Sequence, residues 1–228
     1  MRFGIVVLPG SNCDRDCAWA LQELRFQVRM LWHRQSDLEG CKCIILPGGF
    51  SFGDYLRPGA IAKFAPILKA ILKHAQRGYP VLGICNGFQI LTEVGLLPGA
   101  LLLNNTLRFI HKQVCLRIEK GRSPIHQKNP KNSTIQLPIA HKTGRFYAPE
   151  RVLGKIESNG QVWMRYCDPA GASHKESNPN GSVHAIAGIC NSKGNVFGLM
   201  PHPERAIYSY SNSEDGRLVF SSLAEAFV

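Results

Sequence analysis

The feature that most constrains the fold is a tight turn at residues 83–87, Gly-Ile-Cys-Asn-Gly, between a buried-strand pattern at 80–84 and helix-like residues 88–94. Glycines flank Cys85 because a Cβ at either position would clash with the neighbouring strand or helix. A turn of this kind lifts the Cys85 thiol out of a sheet and sets it at a helix N-terminus, which favours the thiolate. It predicts an α/β fold with a nucleophilic Cys85, and it directs the Asn86 N–H toward an oxyanion.

The first half of the chain alternates strand-like and helix-like segments. Such alternation predicts a mostly parallel central sheet covered by helices on both faces, a three-layer arrangement. The predicted strands are 3–8, 26–32, 43–46 and 80–84, and the predicted helices are 14–24, 61–76 and 88–94.

The second half changes character, and its short strands joined by turn-rich segments predict a smaller antiparallel β portion. Residues 186–190 and 196–200 read as a hairpin, and residues 121–132 as a loop. We expect one domain over residues 1–228. The remaining predicted elements are strands at 101–103, 114–118, 134–140 and 161–166 and a final helix at 214–226.

The net charge of +11 is concentrated in one region, since residues 108–155 hold eleven Lys/Arg and only two acidic residues. This region is interpreted either as a solvated surface or as a contact for an anionic partner. No apolar run approaches the roughly 20 residues needed to cross a bilayer, and the start is too short for a secretory signal, so we expect a cytoplasmic protein. The eight cysteines are then expected to be reduced and mostly buried, without a structural zinc site.

A thiolate that performs acyl transfer needs a proton donor and acceptor, and that group needs an orienting partner. His202 follows the last apolar strand, between two prolines, and Glu204 lies two residues later. This placement predicts that His202 acts with Cys85 and is oriented by Glu204. His141, after a strand-like run, is a second candidate. The remaining histidines are interpreted as surface residues: His33, His74, His111, His126, His174 and His184.

A glycine-rich segment at 46–55 follows another buried strand. Its Gly49 or Phe50 N–H is a candidate second donor to the oxyanion. The glycine spacing fits neither the dinucleotide nor the Walker pattern, so a nucleotide loop is disfavoured. The plain alternative is a turn with packed aromatic residues.

Taken together, these motifs resemble class I, triad-type glutamine amidotransferases, whose pattern includes the nucleophile turn, Gln89 four residues after Cys85, and His202-Pro203-Glu204. The resemblance extends to the glutaminase subunits of phosphoribosylformylglycinamidine synthases and spans almost the whole chain. It rests on residues 47–57, 83–89, 105–109, 139–141, 178–182, 186–189 and 200–205.

The resemblance implies a flavodoxin-like fold and hydrolysis of glutamine to glutamate and ammonia through a Cys85 thioester. Gln89 matches the position that contacts bound glutamine, and Arg108 and Phe109 are further candidates for the same pocket. The implied partners are a larger synthetase subunit, which uses ATP and Mg²⁺ in purine biosynthesis, and a small third subunit. The resemblance implies no cofactor or metal in this chain.

One departure is visible after residues 139–141, where the family usually continues Gly-Glu-Gly and this chain has Lys142-Thr143-Gly144. Three alternatives to this interpretation stay open at this stage. The first is an amidotransferase of another pathway, the second a cysteine hydrolase or thiol stress protein on a similar fold, and the third a nucleic-acid-binding module that uses residues 108–155. The last has no recognised nucleic-acid motif in its favour.

Overall fold

The computed structural model describes residues 1–122 and 134–227, in which eleven strands and five α-helices follow one another. The strands are β1 (Arg2–Val7), β2 (Gln27–Trp32), β3 (Cys43–Leu46), β4 (Val81–Ile84), β5 (Ala100–Leu103), β6 (Ile110–Ile118), β7 (Thr134–His141), β8 (Thr143–Tyr147), β9 (Val162–Cys167), β10 (Ile186–Cys190) and β11 (Val196–Leu199). The helices are α1 (Asp14–Glu23), α2 (Pro66–Gln76), α3 (Asn86–Glu93), α4 (Glu150–Ser158) and α5 (Gly216–Ala226).

Nine strands form one sheet in the order β2-β1-β3-β4-β11-β10-β9-β6-β7. The first five are parallel to one another, and the remaining neighbours pair antiparallel. Every residue of β3, β4 and β11 is buried, as expected for parallel strands covered on both faces. Helix α1 packs against β1 and β2, and α3 packs against β3, β4 and β11. The predicted α/β class is confirmed.

The antiparallel portion is also confirmed. Strands β10 and β11 form the predicted hairpin, and β5 pairs with β8 in a separate two-stranded sheet. The order of the parallel strands has a consequence for the site. Because β3, β4 and β11 are neighbours that run in one direction, the segments that follow them meet at one sheet edge.

The predicted helix over residues 61–76 is wrong in its first third. Residues Ala62–Phe64 form a separate 3-10 turn, and α2 begins only at Pro66. Proline has no N–H to continue a helix and disfavours helical geometry in the residue before it, and Ala65 accordingly is extended, with φ −63° and ψ 132°.

Two elements were missed, and one strand is longer than predicted. Strand β8 and helix α4 lie where only turns were expected, and β6 begins at Ile110 instead of residue 114. Helix α4 had a readable signal, since Pro149 precedes it and Val152, Leu153 and Ile156 recur at helical spacing. The predicted loop at 121–132 lies, apart from Gly121 and Arg122, outside the described residues, as does His126.

The surface interpretation is wrong for two histidines. His33 and His74 are each only 8% exposed. The His33 ring packs edge-on against Trp32 and Phe52, and the His74 ring stacks on Tyr79 while its Nε2 lies 3.2 Å from the Lys42 carbonyl oxygen. These rings therefore contact aromatic side chains and a backbone carbonyl oxygen, whereas the polar residues around them in the sequence had suggested contact with solvent.

The eight cysteines are all free thiols, and seven of them are buried, with Cys115 half-buried. This confirms the expectation that most behave as small apolar side chains. Among the described residues, no helix combines the length and apolarity needed to cross a membrane.

Candidate active site

The turn between β4 and α3 places Cys85 in a strained conformation, with φ 48° and ψ −103°. Both flanking glycines are sterically required. A Cβ on Gly83 would lie 2.6 Å from the Gly87 carbonyl, and a Cβ on Gly87 would lie 1.9 Å from the Leu46 carbonyl oxygen. Non-glycine residues with positive φ persist where the surrounding structure enforces them, which is typical of active sites.

His202 and Glu204 form a buried pair beside this turn. His202 Nδ1 lies 2.7 Å from Glu204 Oε1, and the two side chains are 2% and 0% exposed. The carboxylate accepts the Nδ1 proton, so the lone pair of a neutral ring is left on Nε2. That Nε2 atom has no hydrogen-bond partner among the described residues. The Cys85 Sγ lies 3.8 Å from the Ala140 carbonyl oxygen.

The electrostatics of this pair favour an imidazolium. Burial alone disfavours the charged ring, but the Glu204 carboxylate, and then the nearby Cys85 and Cys13 thiols, raise the pKa of His202 well above its usual 6.5. A charged His202 can give a proton to a leaving group.

The segment after β3 supplies the second wall of the site. Phe50 N–H donates to the Gly10 carbonyl oxygen at 2.9 Å and is therefore occupied. Within residues 1–122 and 134–227, the N–H groups of Gly49 and Asn86 donate to no protein acceptor. Of the predicted oxyanion donors, these two are available in this conformation.

The side chain of Asn86 fastens this segment to α3. Its Oδ1 accepts the Ser51 N–H at 3.1 Å, and its Nδ2 donates to Gln89 Oε1 at 2.8 Å and to Asp54 Oδ1 at 3.4 Å. Gln89 in turn donates to the Thr143 carbonyl oxygen at 2.6 Å. The segment after β3, helix α3 and strand β8 are thus joined by one polar network.

We expect Asn86→Ala to lower the free energy of unfolding by about 1–3 kcal/mol, because the Ser51 N–H and Gln89 Oε1 would lose buried partners. Thermal and denaturant unfolding would measure this loss. Asn105→Ala, at an exposed position, is the control and should unfold like the wild type. Equal stability of the two variants would contradict the structural role assigned to Asn86.

These groups open into one cavity of about 330 Å³. Phe109 lines it, whereas Arg108 does not and Asn86 stands behind the wall. The cavity wall comprises Asn12, Cys13, Gly49, Phe50, Asp54, Pro58, Cys85, Gln89, Phe109, His111, Ala140, His141, Lys142, Thr143, His202 and Arg205.

His141, the second candidate base, is held as a neutral ring. Its Nδ1 lies 3.1 Å from Asn104 Oδ1, and Asn104 Nδ2 donates to the carbonyl oxygens of His141 and Arg108, which fixes the amide orientation. Burial, with a smaller effect from the charge of His202, lowers the pKa of His141 to about 4. In the part of the chain that the structure describes, the partner of the His141 ring is an amide and not a carboxylate, so His202 is the better acid–base group.

Several cavity residues were not predicted as site residues, and Cys13 and Asp54 are the two among them with chemically active side chains in loops that follow parallel strands. Both stand in loops that follow parallel strands, β1 and β3, and this placement was the available signal. Cys13 Sγ lies 3.1 Å from Arg205 Nη2. Cys13, His202 and Glu204 have potential metal-ligand atoms within 4.8 Å of one another, but the Arg205 guanidinium puts a positive charge beside this set, which opposes a resident cation.

The basic region at 108–155 is described only in part, and several of its cations have local partners. Arg117 pairs with Glu119 at 2.7 Å, Arg122 donates to the Asn159 carbonyl oxygen, and Arg145 donates to the Leu103 carbonyl oxygen. These contacts fit a solvated surface better than a nucleic-acid groove.

Comparison with known proteins gives consistent similarities. The family model for the CobB/CobQ-like glutamine amidotransferase domain matches residues 1–219. The phosphoribosylformylglycinamidine synthase subunit PurQ of Gloeobacter violaceus is 52% identical over 225 residues, covering 98% of this chain and 97% of the relative. The subunit of the same name from Aquifex aeolicus is 51% identical over 224 residues, covering 98% and 99%.

Solved structures show the same fold. A chain in the structure of PurLQS from Thermotoga maritima superposes with a TM-score of 0.88 at 44% identity and covers 100% of this chain and 99% of its own length. A glutamine amidotransferase from Thermotoga maritima superposes with a TM-score of 0.62 at 17% identity, with coverage of 100% and 97%. The second similarity concerns the fold alone.

Proposed function

Because this chain belongs to the family of CobB/CobQ-like glutamine amidotransferase domains, we propose that it is the glutaminase subunit of a phosphoribosylformylglycinamidine synthase in purine biosynthesis. The observation that carries the chemistry is that Cys85, on its strained turn between β4 and α3, and the His202–Glu204 pair meet at one cavity. A cysteine hydrolase or thiol stress protein on a similar fold would not require Gln89 at the cavity together with the His202–Glu204 pair, so that alternative is not favoured.

In the first half-reaction, the Cys85 thiolate attacks the side-chain amide carbon of glutamine and a C–S bond forms. The N–H groups of Gly49 and Asn86 stabilise the oxyanion that develops. His202, protonated and held by Glu204, gives its proton to the amide nitrogen. The C–N bond then breaks, ammonia leaves, and a glutamyl thioester remains on Cys85.

In the second half-reaction, water attacks the thioester carbon while His202, now neutral, accepts a proton from that water. The C–S bond breaks and glutamate leaves, which restores the Cys85 thiolate and the His202 imidazolium. Gln89 and Phe109 contact the bound glutamine from the cavity wall. The Arg108 side chain does not line the cavity and serves the pocket only through the bond of its carbonyl oxygen to Asn104.

The ammonia passes to a larger synthetase subunit that uses ATP and Mg²⁺, and a small third subunit completes the complex. The similarity to a chain of PurLQS supports this multisubunit setting. ATP and Mg²⁺ belong to the partner, and the complex belongs in the cytoplasm. Residues 1–228 act as one glutaminase domain, which is supported by a single sheet whose strands span Arg2 to Leu199.

An exposed apolar surface beside the cavity supports docking of the synthetase. Leu56 is 88% exposed and lines, with Leu103, a groove of about 490 Å³ that shares Asp54 and Gln89 with the catalytic cavity. Phe109 extends this surface across the cavity mouth. Large exposed apolar patches commonly mark interaction sites.

We expect the synthetase and its substrates to increase glutamate release by this chain, and Leu56→Asp to abolish that increase while leaving basal hydrolysis unchanged. The charge would be placed in an apolar interface without a partner. Glutamate release, with and without the synthetase, measures both rates. Tyr210→Asp, at a position that is 83% exposed outside both the cavity and the groove, is the control. A synthetase of another pathway as the responding partner would overturn the proposed function.

A further inference from the structure

The catalytic cavity has a single carboxylate in its described wall, that of Asp54. Two cations, Lys142 and Arg205, also line it. Arg205 already contacts the Cys13 sulfur at 3.1 Å and lies 3.7 Å from Asp16, whereas Lys142 forms no ion pair with the described residues. The cavity therefore presents one negative and one uncommitted positive side chain to a ligand, in addition to Cys85.

Asp54 has few partners of its own. Its carboxylate makes no ion pair with the described residues, and its one side-chain hydrogen bond, from Asn86 Nδ2, is long at 3.4 Å. The carboxylate is half-buried, and this burial, with no cation to offset it, raises the pKa of Asp54 to about 6. A cation delivered by a ligand would supply the missing counter-charge.

The backbone also holds Asp54 in an unfavourable conformation. Its φ is 54°, and Phe52 and Leu56 on either side have φ of 53° and 68°. Positive φ at three non-glycine positions in one short loop indicates that the surrounding structure enforces this backbone path. The same loop carries Gly49, which lines the cavity and is a proposed oxyanion donor.

We infer that Asp54 is a specificity-determining residue that binds the α-ammonium group of the substrate glutamine. This inference rests on the proposed function. It assigns a binding partner to the α-ammonium group, which distinguishes glutamine from primary amides that are not amino acids. Pairing at Asp54 holds the loop that carries Gly49, so recognition of the amino-acid end of glutamine also positions an oxyanion donor.

A substrate that lacks the group tests the pairing directly. The analogue 5-amino-5-oxopentanoate is glutamine without its α-amino group. In the complex with the synthetase, we expect Asp54→Asn to lower kcat/KM for glutamine about 10- to 100-fold, mainly through KM, because a hydrogen bond between charged groups is lost. For the analogue, kcat/KM should change less than about 3-fold, since neither partner group was paired.

Two further variants complete the test. Asp54→Glu keeps the charge and should retain most of the preference for glutamine over the analogue. Asp37→Asn removes a carboxylate from a separate surface groove and should leave both substrates unaffected. Equal losses on both substrates in Asp54→Asn, or no loss on glutamine, would overturn the inference. Failure of the wild-type complex to hydrolyse glutamine would instead overturn the proposed function, and this inference with it.

Discussion

Replacing Cys85 with alanine should reduce glutamine hydrolysis by at least about 10⁴-fold, because removal of a nucleophile leaves only binding and oxyanion contacts. The strained turn presents this one thiol to the cavity. Cys13 also lies between a strand and a helix, at the N-cap of α1, but its φ is −106°, and among the described cysteines only Cys85 has a positive φ. Glutamate release measures the loss. An electrophilic glutamine analogue should in addition label wild-type Cys85, as detected by peptide mass, and leave the variant unlabelled.

The matched control is Cys115→Ala, which removes the half-buried thiol on β6. It should keep wild-type activity and labelling. Cys85→Ala should unfold near the wild-type temperature, since it removes a single sulfur atom whose contact with the Ala140 carbonyl oxygen is long, at 3.8 Å. Residual hydrolysis above about one per cent would point to a nucleophile other than Cys85.

The features that could be predicted from sequence are those encoded by neighbouring residues. Residues 83 and 87 must be glycines because backbone atoms occupy the Cβ positions, the Gly87 carbonyl at Gly83 and the Leu46 carbonyl oxygen at Gly87. The second contact is distant in sequence, but the Gly-x-Cys-x-Gly pattern that it requires is visible within five residues. His202 lies between two prolines and Glu204 is two positions later, so their contact at 2.7 Å is also local. Short-range steric and hydrogen-bond demands of this kind leave a readable pattern.

The features that were missed depend on contacts distant in sequence. Asp54 and Cys13 enter the cavity because β1 and β3 are parallel neighbours. The glycine-rich segment at 46–55 marked the loop that contains Asp54, but the sequence does not show which of its side chains faces the cavity. His74 is buried because Tyr79 and the Lys42 carbonyl oxygen receive it, and Lys42 lies 32 positions away. Burial decided by tertiary neighbours has no single-sequence signature.

Replacing Glu204 with glutamine should lower kcat/KM by about 10²- to 10⁴-fold, because the imidazole loses the charge that orients it and stabilises its protonated form. The direction of the pH effect follows from the same contact. Burial alone lowers the pKa of His202, and the Glu204 carboxylate is the largest influence that raises it. Neutralising Glu204 therefore lowers the pKa of His202. At a lower pH than in the wild type, His202 then loses the proton that the leaving ammonia needs, so the alkaline limb of the kcat/KM profile shifts to lower pH.

A kcat/KM profile over the pH range in which the variant stays folded measures this shift, and Glu176→Gln, at an exposed position, should reproduce the wild-type profile. Glutamine keeps an oxygen that can accept the Nδ1 proton, so the hydrogen bond at 2.7 Å can survive while the charge does not. A loss of rate with an unmoved alkaline limb would mean that the Glu204 charge does not set the pKa of His202 and would contradict this prediction. A shifted limb with little loss of rate would mean that its charge sets the pKa and that the prolines around His202 suffice to orient it.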